Sequence, residues 1–338
     1  MVTIKDIARL SGYSIGTVSR VLNNRPDVSD EARTRILEVI RNENFQPNAN
    51  AKHLKQRGTS AITVLVKGIN NFFLETVLEE IQMRLRDHGE DVNVIFMDEA
   101  GNEVDTAIQV CTEQKPKGIV FLGANLNGFR EKFSAISIPC VLVTDNAQEL
   151  GFENLSSFST DDTRAAAEAV DYLIRMGHQR IGILGGHLVS YDGRVGTGRV
   201  YGAIEELKKK GIAFHPETDF VPCRFSMEEG YDGCGTLMKR GKDLTAIFAV
   251  GDMIALGAMR ALRDMGYRVP DDVSMIGFDG IEYTRYCVPR LATVNQDAAA
   301  LAARSVEDLL MRISYSREAV HEMIPFTIIR GESVKDLR

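Results

Sequence analysis

The sequence predicts a small all-helical head joined to a two-lobed α/β body, and three observations carry that reading. The first 58 residues show helix-period apolar spacing without a strand-like run. From Ala61 onward, short apolar runs alternate with amphipathic helical stretches. The two parts also differ in charge: residues 1–58 hold 10 Lys/Arg against 6 Asp/Glu, a surplus of +4, while the rest carries −11 within an overall −7. A basic head on an acidic body implies that the head alone meets a polyanion.

The head resolves into short helices. "TIKDIARLSG" sets Ile4, Ile7, Ala8 and Leu10 near one face, with Thr3 as the N-cap residue and Asp6 three residues on. Gly12 breaks this helix, and Ser14 caps a second in which Val18, Val21 and Leu22 face inward. "NNRP" ends the second helix, and Ser29 with Ala32 opens a third whose stripe is Ile36, Leu37, Val39 and Ile40. "NANAKHLKQRGTS" holds one short helical stretch, 49–56, too short to persist alone in water, so it reads as a hinge that orders against a partner. A plain flexible linker is the alternative.

In the body the strand candidates are "AITVLV", "VNVIFM", "GIVFLG", "CVLVTD", "RIGILGG", "LTAIFAV" and "VSMIGFD". Helical candidates lie between them at 73–88, 162–176, 199–210 and 253–265. Continuous apolar runs suit buried parallel strands, so the plan is doubly wound α/β. About four strand–helix units precede Ser157 and three or four follow, which predicts two similar lobes with a cleft between them. The expected division is 1–58 for the head, including a hinge at about 48–56, and 59–338 for the body.

Composition excludes several classes. At 338 residues, 44% hydrophobic and 26% charged, the chain is an ordinary globular protein with no membrane-length apolar run. "MVTIKDIARL" lacks the order of a signal peptide, so a cytoplasmic location is expected. Five scattered cysteines without a C-x-x-C pair suit buried thiols, and the six histidines do not cluster at metal-ligand spacing. Neither a metal nor any other cofactor is expected.

"GYSIG" matches the G-x-S-x-G nucleophile elbow, but that motif needs a strand before its serine, and here helices flank both sides. The spacing fits a helix-turn-helix instead, whose second helix lies in the DNA major groove. Ser14, Ile15, Gly16 and Thr17 keep its first turn small, so the backbone can approach base edges. Thr17, Ser19 and Arg20 add donors and acceptors for bases and phosphates. A helical hairpin with no DNA role is the bland alternative. "SYDGRVGTGRVYGA" is rich in Gly and Arg but lacks the G-K-[ST] of a phosphate loop.

"TIKDIARLSGYSIGTVSRVLNN", "VSDEARTRILEVI" and "NFQPNANAKHLK", followed by an α/β body, resemble the LacI/GalR family of bacterial transcriptional regulators along essentially the whole chain. The resemblance implies a helix-turn-helix headpiece, a hinge helix, a periplasmic-binding-protein-like effector domain and a homodimer on a pseudo-palindromic operator. It implies DNA contacts from Thr3, Ser14, Ile15, Gly16, Thr17, Ser19, Arg20, Asn23, Asn48, Leu54 and Lys55. Leu54 would be the minor-groove wedge, with packing as the alternative role.

The resemblance also places effector contacts. "NNFFLE" matches the first effector segment, with Asn71 where the family often has proline, and either Phe72 or Phe73 would stack on a ligand. Arg199 stands three residues before the helix glycine, Gly202, with Arg194 upstream. Phe225 matches an aromatic lid, Asp279 in "GFDG" a ligand carboxylate, and Asp145 is a further strand-end acid. Gly251 replaces a frequent asparagine beside Asp252, which reads as either an effector contact or a helix cap. These positions fall at strand ends, where open α/β sheets bind ligands.

The expected function is an effector-controlled, sequence-specific DNA-binding regulator, a repressor rather than an enzyme. Arg199 and Asp279 are expected on opposite sides of the lobe junction, gripping a sugar or sugar derivative, with a purine as runner-up. A cytosolic sugar-binding protein or enzyme on the same plan is the rival reading. The chain ends at "RGESVKDLR" without a heptad tail, so a dimer is expected, with the helix faces around Phe73 to Leu85 as interface or core.

Overall fold

A computed structural model describes residues 4–22, 28–43, 61–68, 71–188, 195–241, 243–315 and 317–338. The chain divides into two units, Met1–Thr59 and Ser60–Arg338.

In the first unit, α1 (Ile4–Ser11), α2 (Ile15–Leu22) and α3 (Asp30–Asn42) enclose a core of Ile7, Ala8, Val18, Val21, Ile36 and Val39. Gly12 takes φ +80° and donates its N–H to the Ala8 carbonyl, a left-handed residue that stops α1. Ser14 Oγ accepts the Thr17 N–H at 3.2 Å, and Ser29 Oγ accepts the Ala32 N–H at 3.3 Å, so both expected caps form. Two apolar positions differ from expectation: Leu10 is 44% exposed and Leu37 is 38% exposed. The helical period explains both. Ser11 completes the inner stripe of Ile7 and Ala8, while Ala32, Ile36 and Val39 form that of α3, leaving Leu10 and Leu37 off the stripe.

Among its described residues the second unit holds two six-stranded sheets. The first orders β11 (His321–Met323), β5 (Leu155–Ser159), β4 (Cys140–Val143), β3 (Gly118–Leu122), β1 (Ile62–Lys67) and β2 (Val92–Met97), all parallel. The second orders β12 (Phe326–Ile329), β10 (Ala292–Gln296), β9 (Ser274–Asp279), β8 (Ala246–Ala249), β6 (Ile181–Leu184) and β7 (Phe220–Val221). Only the β10–β12 pairing among these is antiparallel. Buried strands such as β3, with no exposed residue, match the continuous apolar runs of the sequence.

The lobes are not consecutive in the chain, which corrects the simple division near Ser157. After β10 the chain returns to the first sheet: the helix Ala298–Ser314 packs Leu301, Ala302, Val306 and Leu309 against Val77 and Ile81 of the helix Phe72–Asp87. It then adds β11 before crossing again to β12. Most apolar residues from Phe73 to Leu85 are thereby core: Phe73, Leu74, Val77, Leu78, Ile81 and Leu85 are buried, while Met83 is left 46% exposed.

The helix Val195–Lys209 begins four residues before its expected start, across a glycine-rich stretch that propensity alone discourages. Gly202 on this helix lies so close to the Asp162–Arg175 helix that a Cβ would fall 2.0 Å from the Thr163 carbonyl oxygen. Only glycine permits that approach, and it brings the preceding turn, with Arg199, up to Asp162.

Candidate functional site

In the head unit, α2 presents Ser14, Gly16 and Arg20 to solvent, with Thr17 half-buried. A Cβ on Gly16 would meet only Ser14 Oγ, at 3.6 Å, so the opening turn is clear of bulk. The Ser14 hydroxyl caps α2 and bonds Thr17 Oγ1 at 2.9 Å, and the residue follows a helix, which removes the nucleophile-elbow reading. Ile15 and Ser19 lie in α2, but their side chains fall outside the described residues. Thr3, Asn23, Asn48, Leu54, Lys55 and Arg194 also lie outside them.

In the body unit, a cavity of about 570 Å³ opens where the carboxyl ends of both sheets face each other. The first lobe lines it with Lys67, Asn71, Phe73, Glu103, Asn125, Thr144 and Asp145. The second contributes His187, Gly196, Arg199, Arg224, Phe225 and Asp279. This volume suits a small polar ligand.

Arg199 organises the second lobe's wall. Its Nε donates to Asp162 Oδ1 at 2.7 Å, and its Nη1 donates to the Val250 carbonyl at 2.7 Å and to Asp279 Oδ1 at 3.0 Å. The guanidinium also lies over the Phe278 ring, with Cζ 3.7 Å from the centroid. Burial by itself would lower the Arg199 pKa, but Asp162 and Asp279 outweigh it and raise the value. Burial pushes the Asp162 carboxyl up to about 6 against the opposing pull of Arg199. Asp279 is raised by burial too, and it sits at φ +114°, a strained backbone for a non-glycine residue. Its Oδ1 also accepts from Gln296 Nε2 at 2.9 Å.

This geometry corrects two expectations. Arg199 and Asp279 do not face each other across the junction; both belong to the second lobe and form one ion pair, because the carboxyl end of β9 lies beside the opening turns of the Val195–Lys209 helix. Asp252 does not line the cavity and does not cap its helix. It is fully buried at the first turn of the helix Asp252–Asp264, whose N-cap is Gly251. Its Oδ2 accepts the N–H groups of Gly280 and Ile281 at 2.6 and 2.9 Å, and its Oδ1 accepts the Thr293 hydroxyl at 2.6 Å. With its oxygens committed, Asp252 holds the turn that follows Asp279.

The two phenylalanines separate in role. Phe73, 5% exposed, reaches the cavity wall, whereas Phe72 stacks on Tyr283 of the other lobe at 4.8 Å. Asn71 explains the missing proline: its side chain caps the Phe72–Asp87 helix through the N–H groups of Phe73 and Leu74. Phe225 lies with the Arg199 Cζ 5.9 Å from its ring centroid, and a Cβ on Gly251 would sit 2.9 Å from its Cδ1. The ring thus occupies the space that a side chain at 251 would need. Sequence reasoning missed Lys67, Glu103, Asn125, Thr144 and His187. Lys67 ends β1 and Thr144 follows β4, so the strand-end rule that selected Asp145 would have found both. Among the described residues no His/Cys/Asp/Glu group could hold a metal ion, and no helix is long and apolar enough to cross a membrane.

Residues 3–48 match the family model for bacterial regulatory proteins of the lacI family, and residues 170–334 match a periplasmic binding protein-like domain. The HTH-type transcriptional regulator MalR of Clostridium butyricum is 34% identical over 98% of this chain and 98% of its own length. The ribose operon repressor of Haemophilus influenzae is 32% identical over the full length of both. The structure of the Lac repressor dimer bound to operator and an anti-inducer superimposes with a TM-score of 0.76 at 25% identity, covering 99% of each chain.

Proposed function

The chain belongs to the lacI family of bacterial regulatory proteins, and from that premise we propose that it is a cytoplasmic repressor whose hold on its operator is set by a sugar in the body cleft. It is a DNA-binding transcriptional regulator and not an enzyme. We assign DNA contact to residues 1–58, with a hinge at about 48–56, and effector binding to 59–338. The small, exposed first turn of α2 and the +4 charge of the head support the first assignment.

The cleft wall built on Arg199, Asp279 and Phe225 is the observation that carries the effector reading. Asp279 Oδ1 is committed within the protein, while its carboxylate lines the cavity beside Arg199, donor next to acceptor, which suits adjacent hydroxyls. Phe225 offers a ring to the apolar face of a sugar. A purine wants aromatic faces on both sides, and Phe73, almost wholly buried, has little ring face to give. The relative named as a ribose operon repressor fits a sugar effector.

A dimer is supported by the Lac repressor dimer and by large side chains left exposed on the second lobe, among them Tyr283, Tyr286 and Val288. One headpiece alone buries too little DNA surface to be selective. The test is operator selection from random duplexes with the full chain, followed by gel shifts at varied salt with ribose, maltose, cellobiose and hypoxanthine. Steep salt dependence and a shift in affinity with one sugar are expected. A response to hypoxanthine alone would replace the sugar with a purine.

A further inference from the structure

We propose that the effector is a sugar bearing an anionic group, a carboxylate or a phosphate, and that Arg224 and His187 receive that group at the rim of the cleft. The assignment rests on the cleft being the effector site. The sheet brings the two side chains to one corner of the cavity. β6 and β7 are neighbours with Leu184 opposite Val221, and His187 and Arg224 each stand three residues beyond that pair. The Gly185 N–H still bonds the Val221 carbonyl at 2.9 Å, so the two chains leave the sheet together. Gly185 and Gly186 then take φ +96° and +73°, a turn open to glycine. A Cβ on Gly186 would collide with the Gly196 carbonyl oxygen, so the turn that carries His187 lies against the start of the Val195–Lys209 helix. On the other chain the Ser226 N–H bonds the Arg224 carbonyl at 2.8 Å, and Ser226 Oγ caps the Met227–Arg240 helix. Arg224 is thereby fixed one residue ahead of Phe225, the ring offered to the sugar.

Both side chains are exposed and line the cavity, and among the described residues neither makes a hydrogen bond or an ion pair. The other cations of the wall are committed: Lys67 to Glu103, and Arg199 to Asp162 and Asp279. Two exposed acids could compete for Arg224, Glu99 on the first lobe's wall and Glu229 in the first turn of the Met227–Arg240 helix. Among the described residues neither pairs with it. Arg224 thus presents a planar fork of N–H donors without an acceptor, which a carboxylate or phosphate fills with two parallel bonds. The Val195–Lys209 helix reinforces the field, since its first turn carries no acid and its positive end opens on the cavity at Gly196. Charge divides the cavity accordingly. The acids Asp145 and Asp279 are buried and suit hydroxyls, while the unpaired cations stand exposed at the rim. A matching ligand is hydroxylated at one end and anionic at the other, with a ring face against Phe225. At an exposed rim the pairing is worth a hydrogen bond to a charged group, about tenfold in affinity, and not a buried ion pair.

Two measurements on the full chain test this. Titration calorimetry sets glucose against glucuronate and glucose 6-phosphate, galactose against galacturonate, and ribose against ribose 5-phosphate. At least one acidic sugar should bind about tenfold tighter than its neutral parent, and Arg224→Gln should bring that ratio near unity. The uronate and phosphate arms show which anion is taken. Neutral sugars bound as tightly as every acidic partner, or a ratio indifferent to the substitution, overturns the proposal. So does a melting temperature for Arg224→Gln more than about 3 °C below wild type, because Arg224 would then be part of the wall's own structure. The second measurement needs no sugar: phenylglyoxal modification of Arg224, read by peptide mass, in inorganic phosphate or in sodium chloride of equal ionic strength. Phosphate should protect Arg224 and chloride should not, and equal labelling in the two salts overturns the anion site. Silence from every sugar with Arg224 still protected by phosphate would defeat the sugar reading and leave the anion site standing.

Discussion

Arg199→Ala should destabilise the body far more than an ordinary cleft substitution, with a loss that depends on pH. The truncation removes three hydrogen bonds to Asp162, Asp279 and the Val250 carbonyl, and it lifts a guanidinium off the Phe278 ring. A buried carboxylate, Asp279, and a largely covered one, Asp162, are left without their cation, a loss of about 3–5 kcal/mol when one member of a buried pair is deleted. Protonation limits the damage. In the intact protein Asp162 titrates at about 6, raised by burial and held down by Arg199. Without the arginine its carboxyl rises further, so stability present at low pH is lost as pH climbs through that higher value. Each unit of such a shift is worth about 1.4 kcal/mol. The melting temperature at pH 8 should fall by roughly 10 °C, and most of the deficit should vanish by pH 5. Calorimetric melting of wild type and variant at half-unit steps measures both. A drop below about 2 °C at pH 8, or an equal deficit at pH 5 and pH 8, would refute the argument. The result also governs how effector assays are read. A silent Arg199→Ala variant loses the wall whatever its part in binding, whereas Arg199→Lys keeps the charge but not the planar fork.

Further predictions concern other links of the chain. Gly251→Asn should displace the Phe225 ring, which lies 2.9 Å from the new Cβ, and change effector affinity at least about tenfold. The fold should survive, since Gly251 has an extended backbone and asparagine is a good N-cap; unchanged affinity by titration would remove Phe225 as a lid. Ser29→Ala deletes the cap of α3 and should cost the headpiece about 1 kcal/mol, read from its circular-dichroism melting, with no shift counting against the cap. Leu54→Ala should weaken operator binding more than binding to random duplex in gel shifts, because unstacking repays its energy only at a deformable step. Equal losses on both DNAs would remove the wedge.

The sequence exposed those parts of the fold whose burial is apolar and hid those whose burial is polar. β4 reads as "CVLV" and was plain, but β5 reads as "LSSFS" and is equally buried. Its serines satisfy themselves at long range: Ser156 Oγ accepts from Arg312 Nη1 and the Val320 N–H, both at 3.0 Å, and Ser157 Oγ bonds His321 at 2.8 Å. No local pattern reveals partners more than 150 residues away. The same partners tether β11 to the first sheet, so missing β5 and missing the return of the chain were one failure. Site residues were legible where they stood at strand ends, but their pairing was not. Arg199 and Asp279 were both selected, yet only the topology shows that they share a lobe. Asp252 has the same strand-end position and a different fate, because the turn at Gly280 points its N–H groups at that carboxylate.

The division of the cleft bears on how a ligand could be transmitted to DNA. The second lobe's wall is already assembled: Arg199 is bonded to Asp162, Asp279 and Val250, and Asp252 fixes the turn behind them. The first lobe's wall is incomplete, since Asp145 offers an unpartnered oxygen toward acids of the other lobe. The chain links the lobes through the segments after β5, after β10 and between β11 and β12. A ligand can shift the balance between arrangements only by binding them unequally. It gains little by choosing among arrangements of a wall that is complete without it. The unequal term must therefore come from the side that lacks a partner, where a ligand hydrogen supplies what neither lobe can give the other.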